Sequence, residues 1–379
     1  MGSNQVDVIV VGVGTMGAAA AYHLAKRGAS VLGLEQHAIP HALGAHHGFS
    51  RAIRSAYYEH PNYVPLLQRA FALWEDLEKT SGLKIIHRTG GVYMGAEDAV
   101  FITGATRAAN EHGLSHELLS HSDLGGRFPQ FSLPSHYAGF LEKDAGFVVP
   151  ETAMSAHLEG ALAAGARLLG HVQVKGWDST STGVTVHTSQ GRFTAKHLIL
   201  TAGAWSPSLL GSLPITLTVT RQTWGWFWPN STAPFSYGTL PTWFVESEPG
   251  YGYYGFPMMP DNPGLKIAYH KPGEPVTPST VRREVCRESD EPPLRHCLEH
   301  YLSQRDGDLL ALRTCLYTNS PDGHFVIDAY PDKANVTMAC GFSGHGFKFA
   351  PVIGEMLAEF ALDGRSNLPV EFLRMSRFL

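Results

Sequence analysis

Apolar positions along the chain follow two rhythms. Val8-Ile9-Val10-Val11 is a short, wholly apolar run, the pattern of a strand covered on both faces. An alanine-rich helical stretch then runs to Gly28, and Ser30-Val31-Leu32-Gly33-Leu34 reads as a second strand ending at Glu35. From Tyr63 to Lys79, Val64, Leu66, Leu67, Ala70, Leu73 and Trp74 recur at helical spacing. Asp98 to His112 predicts a polar helix closed by Gly113, and Pro150-Glu151 opens another that runs to about Ala164. Gly90 to Met94 predicts a strand, and Gly139 to Leu141 and Phe147 to Val149 read as extended chain around Asp144-Ala145-Gly146. His171 to Trp177, Gly183 to Thr188 and Arg192 to Leu200 predict further strands, the last two joined as a hairpin through Ser189-Gln190-Gly191. Pro214 to Lys271 is aromatic and strand-forming, and the polar stretch Pro275 to Arg305 predicts helices. Strands follow at Leu309 to Tyr317, Phe325 to Asp328 and Val336 to Cys340. Phe349, Val352, Ile353, Met356, Leu357 and Phe360 then mark an amphipathic helix ending near Leu362.

The first forty residues carry the clearest chemistry. Gly12-Val13-Gly14-Thr15-Met16-Gly17 follows the first strand with no gap and opens a helix. Gly12 permits a sharp turn, Gly14 lets the backbone approach a pyrophosphate, and Gly17 lets helix and strand pack closely. The helix N-terminus offers free N–H groups to phosphates, and Glu35 can accept from both ribose hydroxyls of an adenosine. Leu198 to Trp205 repeats this style, an apolar strand running into Thr201-Ala202-Gly203-Ala204. Nucleotide-type segments therefore lie at the start, middle and end, so the expectation is an α/β protein with a discontinuous Rossmann-like domain. Its expected segments are 1–88, 150–213 and 318–379. Segments 89–149 and 214–317 are expected to form an α+β substrate domain on a large mixed β-sheet with flanking helices.

Composition narrows the classes. At 379 residues, two domains are the natural expectation. A formal net charge of −5 gives no electrostatic reason to bind nucleic acid or an acidic membrane. No apolar run of about 18 residues is present to span a bilayer. The chain enters its first strand within a few residues, so no signal peptide is expected, nor a peroxisomal address from Arg377-Phe378-Leu379. Cys286, Cys297, Cys315 and Cys340 form no CxxC pair, which suits a reducing cytoplasm, the expected location.

Several constellations read blandly when taken alone. His46-His47 is a surface loop pair with no ligand cluster beside it, and no metal site is expected. Arg51 and Arg54 share a face if that stretch is helical, and arginines so placed are usually solvated. Cys315 in an apolar strand is an inert buried thiol, and Lys266 and His270 alternate with apolar residues as on a half-exposed strand. Gly341-Phe342-Ser343-Gly344-His345-Gly346-Phe347-Lys348 is harder to dismiss, since its glycines again lead into a helix N-terminus.

Together these segments carry a family likeness. The sequence resembles the monomeric sarcosine oxidase and N-methyltryptophan oxidase family, flavin amine oxidases of the D-amino-acid oxidase and glycine oxidase group. The likeness covers nearly the whole chain. It rests on GxGxxG with Glu35, on Gly44-Ala45-His46-His47-Gly48-Phe49-Ser50-Arg51 with Arg54, and on Tyr253-Tyr254-Gly255-Phe256-Pro257. It extends through Gly264-Leu265-Lys266 with His270, Cys315-Leu316-Tyr317-Thr318 and the Gly341 to Lys348 motif.

The resemblance implies FAD as cofactor, carried covalently by Cys315, and Arg54 and Lys348 as the cations that hold a substrate carboxylate. It implies that Lys266 lies beside the flavin where oxygen reacts. His47, Arg51, Tyr254, His270 and Tyr317 would surround flavin and substrate. FAD contacts would further come from Gly12, Gly14, Met16, Gly17, Glu35, His46, Gly48, Val174, Gly203, Trp205, Gly344, His345 and Gly346. His345 and its glycines would place a helix N-terminus near the flavin pyrimidine, where it favours the anion of reduced flavin. Two departures bear on this: the family usually has Ser where Ala45 stands and Asp-Thr where Phe49-Ser50 stands. The implied reaction is oxidation of a secondary, N-methyl amino acid to an imine that hydrolyses, with oxygen reduced to hydrogen peroxide by a monomeric enzyme. The alternatives are a dehydrogenase using another acceptor, a cyclic amino acid such as proline or pipecolate as substrate, and a non-catalytic flavin-binding module. The run Trp224 to Trp228 with Phe244 suits either a larger substrate side chain or a core strand.

Overall fold

A computed structural model describes residues 5–211, 213–262, 264–303 and 307–379. The strand Gln5–Val11 pairs in parallel with Val31–Leu34 on one side and Gly191–Leu200 on the other, Val11 lying opposite Leu34 and Leu200. Its run is apolar throughout because both faces are covered. Val8 and Val10 join a core with Leu24, Ile353 and Met356, whereas Ile9 and Val11 join one with Leu198, Leu200 and Met338. On the first face the helix Thr15–Lys26 packs against Pro150–Ala163 and Ala350–Asp363. That last contact is close, for a methyl on Gly354 would fall 2.5 Å from the Ala19 carbonyl carbon.

Arg167–Leu169 extends this sheet beyond Val31–Leu34, while Gly183–Thr188 and Val174–Thr180 run antiparallel at the other edge. Lys333–Cys340 lies parallel beside the C-terminal end of Gly191–Leu200, followed by Val326–Tyr330. Among the described residues the strands of the sheet thus come from three stretches, 5–34, 167–200 and 326–340.

A second sheet has the order Asp308–Asn319, Thr218–Trp228, Leu265–His270, Tyr251–Phe256, Thr242–Glu248, Gly91–Ala96, Tyr137–Glu142, Glu117–Leu119. It is mixed, because Thr242–Glu248 runs parallel to Gly91–Ala96 and the other pairs are antiparallel. One face packs on Phe131, Leu294 and Leu298; the other carries Trp224, Trp226, Ala268, Cys315 and Tyr317. Arg51–Ile53, Gly146–Val148 and Ile86–His87 form a small antiparallel sheet. Among the described residues no helix is long and apolar enough to cross a membrane.

Three local expectations are corrected, and one helix is added to them. Arg51 lies in a strand and Arg54 just beyond it, so the two arginines do not share a helical face. The strand expected from His171 starts at Val174, because His171 takes a left-handed turn (φ 58°) with its N–H on the His37 carbonyl. Between Pro275 and Arg305 helix forms only at Arg287–Asp290 and Pro292–Tyr301; residues 304 and 305 lie outside the described residues. The short helix His121–Arg127, held by a Ser120–Asp123 capping box, has too few apolar residues to show a period.

Candidate active site

A cavity of about 560 Å³ opens where the two large sheets meet, lined from Gly14 and Glu35 at one end to Arg54, His270 and Lys348 at the other. The glycine turn builds the first end. Gly12 has φ 90°, and a methyl there would lie 2.5 Å from the Thr201 oxygen. A methyl on Gly17 would lie 1.9 Å from the Gly12 oxygen, so helix and strand touch through bare backbone. At Gly14 the same methyl would meet nothing nearer than His46 Nδ1 at 3.9 Å, so its backbone faces open space. No side chain caps the helix that follows, which leaves its first N–H groups for a ligand. Burial raises the Glu35 carboxyl, but His41 and the His37 and Val13 amides outweigh it and hold the group below its ordinary range. Met16, Val174 and the turn Gly203–Trp205 complete this wall. Free helix N–H groups, an ionised acid and a bare glycine backbone fit the pyrophosphate and ribose of a dinucleotide.

Cys315, Tyr317, Tyr254 and Trp224 line the middle of the cavity with His46, Arg51 and Gly346. Tyr317 lies directly on Gly344, where a methyl would come within 2.1 Å of its ring and where φ is 81°. Only glycine serves there. Arg51 donates to the carbonyls of Ala45, His47 and Ser50, and so holds the histidine loop in place. The surface reading of that loop is overturned: His46 is buried, and burial pushes it down to about 4 and His47 to about 3, leaving both rings neutral. Burial likewise pushes the Cys315 thiol up to about 11, against the charges of Arg51 and Lys266.

The half-exposed reading of Lys266 is also overturned. Its ammonium is buried and donates to Gly48 O at 2.6 Å, Ser50 O at 2.9 Å and Ser50 Oγ at 3.1 Å. It lies 5.5 Å from the Trp224 ring, 5.7 Å from Trp226 and 5.0 Å from Phe256. Lys266, His47, Gly48 and Gly17 are not on the cavity wall; the other expected residues are. The aromatic run divides: Trp224 and Phe244 line the cavity, Trp226 faces Lys266, and Trp228 is exposed. Phe49 is exposed at φ 65° with its N–H held by Glu151, and it takes no part in the wall.

The far end holds the charges. Arg54 is buried, against the solvated reading, with its guanidinium carbon 4.1 Å from the Tyr57 ring and 4.6 Å from Tyr58. Its Nη2 donates to Glu59 at 2.7 Å, while Nε and Nη1 are buried with no protein partner. Burial opposes the Glu59 carboxylate, but Arg54 above all, with Lys348, lowers it to about 2. Lys348 Nζ donates to His345 O at 2.8 Å and to Tyr57 Oη at 3.3 Å. Burial and Arg54 push its amine well below the ordinary lysine range. His270 is driven by burial to about 4 and is neutral. Tyr57, Tyr58 and Glu59 sit in a loop without periodicity, and nothing in the sequence marks them beyond the nearness of Glu59 to Arg54.

The residue pattern of the FAD-dependent oxidoreductase family matches residues 7–360. The chain belongs to this family. A monomeric sarcosine oxidase of Streptomyces avermitilis is 40% identical to this FAD-dependent oxidoreductase over 370 residues, covering 96% of this chain and 95% of that protein. An N-methyl-L-tryptophan oxidase of Salmonella dublin is 36% identical over 380 residues, covering 98% and 99%. Among solved structures, NikD, an unusual amino acid oxidase essential for nikkomycin biosynthesis, superposes with a TM-score of 0.85 at 26% identity, covering 98% of this chain and 97% of that one. FAD is the cofactor of this family, and the helix N–H groups and acid at one end of the cavity are chemically suited to such a dinucleotide.

Proposed function

We propose that this enzyme oxidises a secondary, N-methyl amino acid such as sarcosine or N-methyl-L-tryptophan, with oxygen as electron acceptor. The observation that carries the reading is Arg54, whose Nε and Nη1 are buried without partners at the end of the cavity. Unpaired guanidinium donors in a dry pocket are costly unless a ligand satisfies them, and a carboxylate matches their geometry. Lys348 keeps a third N–H for the same ligand, since its other two are used within the protein. The named relatives, a sarcosine oxidase and an N-methyltryptophan oxidase, support the same substrate class.

FAD, when bound, supplies the acceptor for the hydride equivalent removed from the amine. The protein orients the substrate by its carboxylate, so that its C–N bond lies toward the middle of the cavity. The cations around that carboxylate disfavour a second positive charge and so keep the substrate amine neutral, the form that can be oxidised. Neutral His270 adds no charge there. The tyrosines and phenylalanines around the site exclude water until the imine leaves and hydrolyses. From an N-methyl substrate the products are the amino acid, formaldehyde and hydrogen peroxide. In the same reading Cys315 carries FAD through a thioether, Lys266 serves the oxygen step, and the enzyme is a monomer. Segments 1–88, 150–213 and 318–379 would hold FAD, with 89–149 and 214–317 forming the substrate domain.

The test is a panel of N-methyl amino acids, proline, pipecolate and glycine with a peroxide readout. Turnover of an N-methyl acid with one peroxide per formaldehyde is expected. Reduction by substrate without peroxide in air would instead make the enzyme a dehydrogenase.

A further inference from the structure

We propose that Tyr57 is a positioning residue: its hydroxyl holds Lys348 in line for the substrate carboxylate and ties it to His345. The proposal rests on the carboxylate-binding role given above to Arg54 and Lys348.

The directions of the hydrogen bonds are fixed by one carbonyl. His345 Nε2 lies 3.0 Å from Gly323 O, which can only accept, so Nε2 carries the ring proton. Nδ1 of the neutral ring is then a bare acceptor, and it lies 2.5 Å from Tyr57 Oη. The Tyr57 O–H must donate to it, which turns an oxygen lone pair toward Lys348 Nζ at 3.3 Å. The ammonium donates there and to His345 O at 2.8 Å. Two of its three N–H groups are thereby aimed at protein, and the direction of the third is set.

The ring does a second job. Arg54 Cζ lies 4.1 Å from its centroid and Lys348 Nζ 5.0 Å, so the one ring is packed against both cations. Tyr57 has no exposed surface, and Tyr63 and Phe349 hold it edge-on at 5.0 and 5.3 Å. A phenylalanine would fill the same space. The hydroxyl is what packing alone does not require, since burying it costs energy unless its bonds are made.

Lys348 is faced by Arg54, Glu59, His345, His270 and Tyr57. Burial, reinforced by Glu59, keeps the Tyr57 proton on its oxygen. Removing that oxygen takes an acceptor from the ammonium, so Lys348 loses its proton at lower pH.

The test uses holoenzyme and acetate, a carboxylate with no amine to oxidise, titrated by calorimetry between pH 6 and 10. Tyr57→Phe is expected to weaken acetate binding roughly tenfold to a hundredfold, the worth of a hydrogen bond to a charged group. The pH above which binding fades should move down by roughly one to two units. In a Lys348→Met background the same change should have no further effect. Tyr57→His, which keeps a ring with an acceptor nitrogen, should recover part of the loss, and it serves if the phenylalanine variant does not fold. Equal losses in both backgrounds, an unmoved pH edge, or no rescue by histidine would overturn the role of Tyr57. Acetate binding indifferent to Lys348→Met would overturn the carboxylate reading itself, and the proposal with it.

Discussion

Glu59 meets Arg54 at 2.7 Å inside the cavity and leaves two of the three guanidinium nitrogens bare. A ligand carboxylate would thus meet a cation that is already partly neutralised and held between the Tyr57 and Tyr58 rings, 4.1 and 4.6 Å from their centroids. Breaking a buried pair from one side usually costs about 3–5 kcal/mol. Glu59→Gln is therefore expected to lower unfolding stability in urea by about that much. Saturating acetate should restore part of the loss, because it binds only the folded protein. The pH dependence has a defined sign. Glu59 falls from an ordinary 4.5 to about 2 on folding, so its contribution is complete above pH 4.5 and is lost as pH drops toward 2. Wild type and variant should converge there; a constant gap would show that charge is not the cause.

Replacing Arg54 or Lys348 with Met keeps bulk and removes charge. Affinity for the amino acid should fall by roughly 2–5 kcal/mol in each case. Oxidation of simple amines that lack a carboxylate should suffer less, as measured by kcat/KM for both substrate types. Equal losses would assign these cations to the cofactor or the fold.

Cys315 is buried against the cavity, and a thioether to FAD would survive denaturation. Acid precipitation should leave a yellow pellet, with FAD mass on the peptide containing Cys315, and Cys315→Ala should give a colourless one. With the thiol pushed up to about 11 by burial, its thiolate fraction grows about tenfold per pH unit below that value. Attachment of added FAD to apoprotein should accelerate accordingly from pH 7 to pH 10. A pellet with no colour from wild type would remove the covalent bond and leave FAD binding intact.

Lys266 offers a fixed charge beside the middle of the cavity, across the Trp224 ring. Lys266→Met should slow reoxidation of the reduced enzyme by air roughly a hundredfold to a thousandfold, the usual loss of one preorganised group. Anaerobic reduction should change much less when followed by rapid mixing. Burial and Arg51 push the amine well below its ordinary range, so wild-type reoxidation should slow as pH rises through that lowered value. The Met variant should show no such fall. Crippled reduction with normal reoxidation would move Lys266 to the amine pocket.

What the sequence reveals depends on how local the cause is. The glycine turn is legible because Gly12, Gly14 and Gly17 act on neighbours a few residues away. The paired apolar runs reveal the nucleotide sheet because its strands are covered on both faces. Arg54 and Lys348 are legible as types, but their partners are not. Tyr57 and Glu59 become site residues only when their loop meets the Gly341 to Lys348 turn, a tertiary event with no periodic trace. The Arg51–Ile53 strand is too short for period to distinguish it from a helix, which is why the two arginines seemed to share a face. Pro275 to Cys286 is polar yet not helical: it packs against the second sheet through Val276, Val281 and the Arg283 carbonyl.

The close contact of Gly354 with Ala19 sets the order in which the enzyme can be made. Gly12 and Glu35 leave the ribosome early, but the helix that backs them and the turn that carries Lys348 are translated some three hundred residues later. A growing chain holds half a nucleotide cradle with its alanine face uncovered. The helix Ala350–Asp363 can cover that face, and Lys348 can join Arg54 at the charged end of the cavity, only after the chain has passed Asp363. Flavin loading is therefore expected late in biosynthesis, and a chain truncated before that point is expected to emerge from gel filtration without flavin.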